Sequence, residues 1–161
     1  MKKFLALVVF LTNFASLSSV RAAQWDFLVD MPPNSTYYIE SSTVYCDSLS
    51  NDEIIFHVFL KSVFTAEGRK NRLQNWIRDF GYIPDGAADI SYSVFLEYFK
   101  WSKGVKYYAI DSESVCRSDG SVVHDMSYSR SWHNWKIAKP GAISDTLFNA
   151  VFLVLYERTH R

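Results

Sequence analysis

Alternation of apolar and polar residues predicts a protein built mainly from antiparallel β-strands. Short runs rich in β-branched and aromatic residues are separated by turn residues, as in a series of hairpins. The predicted strands are residues 25–30, 36–41, 53–64, 90–101, 105–115 and 121–128. The third run is apolar at both odd and even positions, which is typical of a strand covered on both faces, so we place it in the centre of the sheet.

A helical spacing follows the third strand. Residues 67–80 carry one apolar stripe at positions i, i+3, i+4 and i+7, formed by Leu73, Trp76, Ile77 and Phe80. Thr65 suits the N-cap of this helix, and Gly81 suits the position after its end. The basic residues of the helix favour a solvated face over an anion-binding face, and they are Arg69, Lys70, Arg72 and Arg78.

A second helix is predicted near the C-terminus. Ser144 is the expected N-cap, and Asp145 suits the first turn because a carboxylate is favourable at the positive end of the helix dipole. Its apolar face is formed by Ile143, Leu147, Phe148, Val151, Val154 and Leu155. The expected fold class is therefore α+β, with an antiparallel sheet of about six strands and two flanking helices.

The N-terminal residues have the pattern of a cleaved secretory signal peptide. Lys2 and Lys3 precede an apolar run, and Val20 and Ala22 suit the small-residue positions of a cleavage site. The run is much shorter than the roughly 20 residues of a transmembrane helix, and no later stretch is apolar enough to span a bilayer. We expect a signal peptide at 1–22 and a single domain at 23–161, exported to the periplasm or beyond the cell without stable membrane insertion.

The charge balance changes when this segment is excluded. The 161 residues contain 17 basic and 17 acidic residues. Removal of residues 1–22 deletes Lys2, Lys3 and Arg21 but no acid, so 14 basic residues remain against 17 acidic ones, a net charge of −3. Nucleic-acid-binding modules usually carry a basic excess, so we expect no nucleic-acid partner. The hydrophobic content of 48% suffices for a core and excludes a wholly disordered chain.

Cys46 and Cys116 are the only cysteines. In an oxidising compartment an isolated pair favours a disulfide, and closing a loop of about 70 residues would stabilise the fold by roughly 4 kcal/mol. The alternative is a redox-active or nucleophilic cysteine. No CxxC motif supports that alternative, so we predict a structural Cys46–Cys116 bridge.

The sequence contains no motif of a known enzyme class. It lacks GxSxG, HExxH, GxGxxG, Walker and EF-hand patterns, so we predict neither enzyme activity nor a cofactor. We also predict no metal site, because no ligand spacing relates His57, His124, His133 and His160. Asp111 and Glu113 would share one strand face, as a paired-carboxylate site requires, although an exposed polar edge is the commoner reason for such a pair.

Aromatic residues make up 17% of the chain and are the sequence feature that indicates a binding function. Trp132, His133, Trp135 and Lys136 follow the last predicted strand in an irregular segment. Tryptophan is enriched in binding hot spots because it buries a large area at low entropic cost, so these four residues are the candidate binding site. The alternative is that the tryptophans fold back over the sheet edge or the core as a plug, which small domains need.

Several short motifs follow one another in an order shared with a known family. They are Trp25, residues 37–44 (YYIESSTV), residues 91–99 (SYSVFLEYF), the turn 118–123 (SDGSVV), Trp135-Lys136-Ile137 with Pro140-Gly141, and residues 145–151 (DTLFNAV). In this order they resemble the bacterial surface-adhesin protein E-like family. The resemblance covers nearly the whole of the expected mature chain, and none of its motifs is catalytic.

The resemblance implies an exported, non-enzymatic protein that binds host extracellular-matrix or serum proteins. Independently of the resemblance, the aromatic surface also allows a homo-oligomer. Two departures bear on this expectation. Trp101 and Phe152 stand where the family usually has cysteines, and no cysteine follows the cleavage region to carry a lipid anchor. The main prediction is an exported binding module that recognises a protein partner through aromatic surface. The alternative is a periplasmic structural or envelope-associated protein with no host ligand.

Overall fold

The strand at Glu53–Phe64 lies in the centre of the sheet as predicted, but the described elements cover only one of its faces, so the expected cover on both faces is wrong. The computed structural model describes residues 23–128 and 134–160. In these residues eight strands form one antiparallel sheet and two α-helices pack on it, which confirms the predicted α+β class. The strands are β1 (Asp26–Met31), β2 (Ser35–Ile39), β3 (Tyr45–Leu49), β4 (Glu53–Phe64), β5 (Ile90–Ser102), β6 (Val105–Arg117), β7 (Val122–Ser127) and β8 (Lys136–Ile137), and the helices are α1 (Ala66–Phe80) and α2 (Ile143–Thr159).

Two predicted features lie outside the described residues. One is the signal peptide at 1–22, and the other is the pair Trp132 and His133 of the candidate binding segment. Both stay predictions from the sequence.

Each of the long strands β4 and β6 pairs along its outer edge with two short strands, one after the other. The main order is β1-β2-β4-β5-β6-β7. On one side, β2 pairs with residues 60–64 of β4 and β3 pairs with residues 54–57. On the other side, β7 pairs with residues 112–116 of β6 and β8 pairs with Tyr107 and Tyr108. The sequence does not predict β3, which is mostly polar, or β8, which has two residues.

Alternation along the central strands creates two different sheet faces. The main core joins buried residues of β2, β4, β5 and α2 with Val44, and they are Ile39, Val44, Phe56, Val58, Leu60, Phe95, Phe99, Leu147, Phe148 and Val151. Trp76 of α1 packs with Phe64 and Val115 at the other end of the same face. Both helices therefore cover one face. We call the other face, which no described element covers, the open face; it carries the odd-numbered residues of β4 and the even-numbered residues of β5.

Helix α1 has the predicted caps but not the predicted orientation. Thr65 Oγ1 accepts a hydrogen bond from the Gly68 amide at 3.0 Å, and Gly81 ends the helix in the left-handed conformation. Ile77 is 53% exposed although it belongs to the predicted apolar stripe. The helix is rotated so that Arg72 faces the sheet, where it pairs with a carboxylate, and the predicted solvated position is wrong for this residue.

Helix α2 begins two residues earlier than predicted. Its N-cap is Ala142 rather than Ser144. Asp145 accepts hydrogen bonds from the Gly141 amide at 3.2 Å and from Lys106 Nζ at 2.7 Å. The bond from Lys106 is the main reason that the pKa of Asp145 lies below its ordinary value, and it ties the start of α2 to β6.

The predicted disulfide is wrong. Cys46 is exposed on β3, Cys116 is buried on β6, and both thiols are free. Cys46 pairs with Phe56 of β4, whereas Cys116 pairs with Tyr92, whose partner in β4 is Val63. These two levels of the sheet are about 23 Å apart along the strand, and a disulfide needs Cα atoms within about 7 Å.

Candidate functional site

The open face carries aromatic rings on neighbouring strands from one side of the sheet to the other. The rings belong to Phe27, Tyr38, Tyr45, Phe59, Tyr92, Tyr98, Tyr107 and Trp135. Tyr45 is 56% exposed and Phe59 is 39% exposed. Contiguous exposed apolar surface of this kind marks interaction sites in proteins, so the open face is the first candidate site.

Lys100 lies between two of these rings. Its Nζ atom is 4.8 Å from the ring centroid of Tyr107 and 4.7 Å from that of Trp135. Strand β8 brings the tryptophan there, because its residue Ile137 pairs with Tyr107. An exposed cation–π contact contributes about 0.5–1 kcal/mol, so the three side chains hold one another in place.

Lys61 repeats this arrangement at the other end of the face. Its Nζ atom lies 4.1 Å from the ring centroid of Tyr92 and 5.9 Å from that of Trp25. Within the part of the chain that the structure describes, neither Lys61 nor Lys100 has a carboxylate within ion-pair distance. The open face therefore presents two ammonium groups, each framed by aromatic rings.

A histidine occupies the middle of the open face. His57 Nδ1 lies 2.7 Å from Asp47 Oδ2, and the imidazole ring lies between the rings of Tyr45 and Tyr98 at 5.4 and 5.0 Å. The carboxylate of Asp47 is thus already bonded inside the face. It does not neutralise the two lysines.

The structure places two of the four predicted binding residues. Trp135 is half-buried on the open face, where its ring lies over Lys100, and Lys136 is exposed on β8 opposite Tyr108. Lys100 and Lys61 are not among the predicted residues. Their signal in the sequence is alternation, since Lys100 shares its strand face with Tyr98.

A cavity on the covered side of the sheet is the second candidate site. It lies between the two helices and the sheet and has a volume of about 370 Å³. That volume is at the lower end of the roughly 300–1,000 Å³ typical of small-molecule sites. Its polar lining consists of Tyr37, Ser62, Arg72, Ser93, Glu97, Tyr108, Glu113 and Ser144.

Two carboxyl groups and one guanidinium group meet on the cavity wall. Arg72 Nη2 lies 2.7 Å from Glu113 Oε2. Glu97 is 2% exposed, and among the described residues its Oε2 atom has no hydrogen-bond partner. The Nε atom of Arg72 likewise has none. One carboxyl group is therefore paired with the guanidinium group, and the other is buried without a counter-ion.

Burial changes the protonation of this wall. It raises the pKa of Glu97 to about 8, and the charge of Glu113 acts in the same direction. Burial also raises the pKa of Tyr37, against the opposing effect of hydrogen bonds with Ser35 and Ser62. At neutral pH Glu97 is mainly a neutral carboxyl group, which can both donate and accept a hydrogen bond.

A β-bulge determines which carboxyl groups are neighbours. The register of β5 with β6 shifts at Asp111, which has no partner in β5. Ile110 before the bulge and Glu113 after it both line the cavity. Glu113 is 7% exposed, so the predicted exposed polar edge is wrong for it, and its carboxyl neighbour is Glu97 rather than Asp111.

Neither Glu97 nor Arg72 is among the predicted site residues, although Glu97 has a recognisable signal. It lies between Phe95 and Phe99 on the covered face of β5, and both phenylalanines are buried. A single acid within an apolar series of one strand face indicates a buried carboxyl group. Arg72 has no such signal, because the rotation of α1 decides where its side chain lies.

Membrane spanning and metal binding can be assessed for residues 23–128 and 134–160. In these ranges no helix combines the length and the apolar composition that a bilayer span requires. The same ranges hold no cluster of three or more His, Cys, Asp or Glu side chains placed to bind a metal ion.

Comparison with known proteins returns no match. The chain matches no protein-family model, no curated protein and no solved structure. The resemblance to the surface-adhesin protein E-like family stays a prediction from the sequence.

Proposed function

We propose that this chain is an exported binding module that recognises a protein partner through the open face. The observation that carries the proposal is the position of Lys100 between Tyr107 and Trp135, on a sheet face that no described element covers. Tryptophan and tyrosine supply much of the binding energy at protein interfaces, because they bury large areas with few rotatable bonds. The pattern of residues 1–22 supports export.

Charge complementarity indicates the chemistry of the partner. Lys61 and Lys100 lie about 20 Å apart along the sheet, since six residues of β4 separate their levels. Asp47 is occupied by His57, so both ammonium groups are available to carboxylates of another molecule.

The partner is therefore a protein surface that carries carboxylates at the spacing of the two lysines and an apolar centre to cover Phe59. The family resemblance suggests extracellular-matrix or serum proteins as its source. The proposal is non-enzymatic, because the open face offers rings and ammonium groups, which serve recognition, and the sequence has no motif of an enzyme class.

The test measures binding of the protein, produced from its full-length coding sequence, to immobilised extracellular-matrix and serum proteins. Surface plasmon resonance compares the unmodified protein with the variants Lys100→Glu and Trp135→Ala. We expect each variant to bind at least about tenfold more weakly, as is usual for interface hot spots. Higher salt should weaken the binding of the unmodified protein to its partner, because salt screens the two ion pairs that the lysines form.

The matched control is Lys70→Glu, which makes the same charge change at an exposed position of α1, on the covered side of the sheet. This variant should bind like the unmodified protein. Equal affinity of Lys100→Glu and the unmodified protein would overturn the proposal. So would the absence of binding to every member of the panel.

A further inference from the structure

The cavity is a site distinct from the open face and has its own chemistry. Its wall contains two carboxyl groups against one guanidinium group, so one buried carboxyl group has no cationic partner among the described residues. Much of the remaining lining is apolar, with Phe64, Phe95, Ile110, Ile143 and Leu147. Polar atoms that are buried without a partner are rare in folded proteins and cost free energy, so they point to an occupant.

We propose that this cavity binds a small primary amine with an apolar body, whose ammonium group donates hydrogen bonds to Glu97 while the body packs against Phe95 and Leu147. The ammonium group supplies the cation that the second carboxyl group lacks. An anionic ligand would instead bring a second negative charge beside Glu113, whose guanidinium partner Arg72 is already paired. The aromatic rings of Phe95 and Tyr108 favour the same class of ligand, because ring faces attract cations.

Proton release is a necessary consequence of this binding mode. Free Glu97 holds a proton at neutral pH, and pairing with an ammonium group requires the carboxylate, so the proton leaves to the solvent. The charged and titratable groups of the cavity wall are Glu113 and Tyr108 of β6, Arg72 of α1 and Tyr37 of β2. The cavity-lining residues of β4 and α2 have no charged side chain.

Isothermal titration calorimetry with phenethylamine tests the proposal. We expect the amine to bind about tenfold or more tightly at about pH 8.5 than at about pH 6.5, because the carboxylate form of Glu97 becomes common in that interval. At the lower pH, titrations in buffers with different ionisation enthalpies should show release of about one proton per amine bound. 2-Phenylethanol, which replaces the ammonium group by a neutral hydroxyl group, should bind more weakly at the higher pH.

Variants distinguish amine binding in the cavity from nonspecific binding elsewhere on the protein. Glu97→Gln keeps the shape of the side chain but cannot ionise, so it should bind phenethylamine at least about tenfold more weakly and without pH dependence. Glu67→Gln, at an exposed position of α1, should leave amine binding unchanged. Circular dichroism verifies that both variants fold, and the pH dependence of the unmodified protein tests the proposal without any variant.

Three outcomes would overturn the proposal. One is the absence of amine binding at millimolar concentration. Another is an affinity that falls as the pH rises, which would show that the neutral carboxyl group of Glu97 donates to a neutral ligand instead. The third is equal binding of phenethylamine and 2-phenylethanol by the unmodified protein. None of these results depends on the partner of the open face, so this proposal and the proposed function can fail separately.

Discussion

Arg72 Nη2 of α1 lies 2.7 Å from Glu113 Oε2 of β6, and this ion pair joins a helix to the sheet across the cavity wall. The side chain of Glu113 is 8% exposed and that of Arg72 is 24% exposed. The guanidinium group also lies 5.4 Å from the ring centroid of Trp76, the largest buried side chain of α1. The pair therefore fixes the rotation of α1 on the sheet.

Breaking this pair on one side should destabilise the protein strongly. We expect Arg72→Met to lower the free energy of unfolding by about 3–5 kcal/mol, because it leaves the carboxylate of Glu113 buried without a counter-ion. Urea unfolding followed by circular dichroism measures the change. The double variant Arg72→Met/Glu113→Gln removes both charges and should recover most of the loss, whereas an equal loss in both variants would contradict the ion-pair explanation.

Stability should fall as the pH rises, because of Glu97. Its pKa is 4.5 when unperturbed and about 8 in the folded protein, so the folded state holds a proton that the unfolded chain releases. The contribution is complete below pH 4.5, is lost between pH 4.5 and 8, and amounts to on the order of 5 kcal/mol in all. Urea unfolding at about pH 5 and about pH 8.5 should show this decrease in the unmodified protein and a smaller one in Glu97→Gln. Parallel pH curves for the two proteins would show that Glu97 ionises normally.

Alanine at position 68 should weaken the docking of α1. A Cβ atom added to Gly68 would lie 1.8 Å from the backbone oxygen of Asn34 in the β1–β2 turn. In an unhindered helix, replacing glycine by alanine stabilises by about 1 kcal/mol. Here we expect a loss of about 2 kcal/mol, because the backbone of Asn34 must move. Chemical unfolding of Gly68→Ala measures it. Asn75→Ala, at an exposed position of the same helix, is the control and should be neutral or stabilising, and a gain in Gly68→Ala would contradict the contact.

The two cysteines should react as free thiols with different rates. Cys46 is exposed, whereas Cys116 is buried, and burial raises the pKa of the Cys116 thiol, so less of the reactive thiolate is present. Without reductant, Ellman's reagent should titrate one thiol in the native protein and two after unfolding. Cys46→Ser should abolish the fast reaction and change the free energy of unfolding by less than about 0.5 kcal/mol. Failure to find any thiol after unfolding would restore the disulfide prediction.

The sequence predicts those elements whose signals are local. Residues 53–64 form the predicted central strand, and Thr65 and Gly81 cap the first helix as expected, because strand alternation and helix caps depend on neighbouring residues. Strands β3 and β8 are missed because their pairing partners lie elsewhere in the chain. The disulfide prediction fails for a related reason, since a redox compartment indicates whether cysteines can bond but contains no information on the distance between them.

Some residues of the candidate sites have a signal in the sequence and others have none. Composition alone indicates Trp135, and the structure places it on the open face beside Lys100. Glu97 can be inferred from its position in an apolar series, although the depth of its burial cannot. Arg72 is out of reach of sequence patterns, because its direction depends on how Trp76 and Gly68 seat the helix.

Strand β5 serves both candidate sites at once. Glu97 points into the cavity, while the next residue, Tyr98, and Lys100 lie on the open face, so the two sites are back to back across a single layer of backbone. A shift of this strand that suits an occupant of one site must change the other. If an occupant of one site shifts this strand, the two binding equilibria are linked, and the amine then alters the affinity for the protein partner by the same factor by which the partner alters the affinity for the amine.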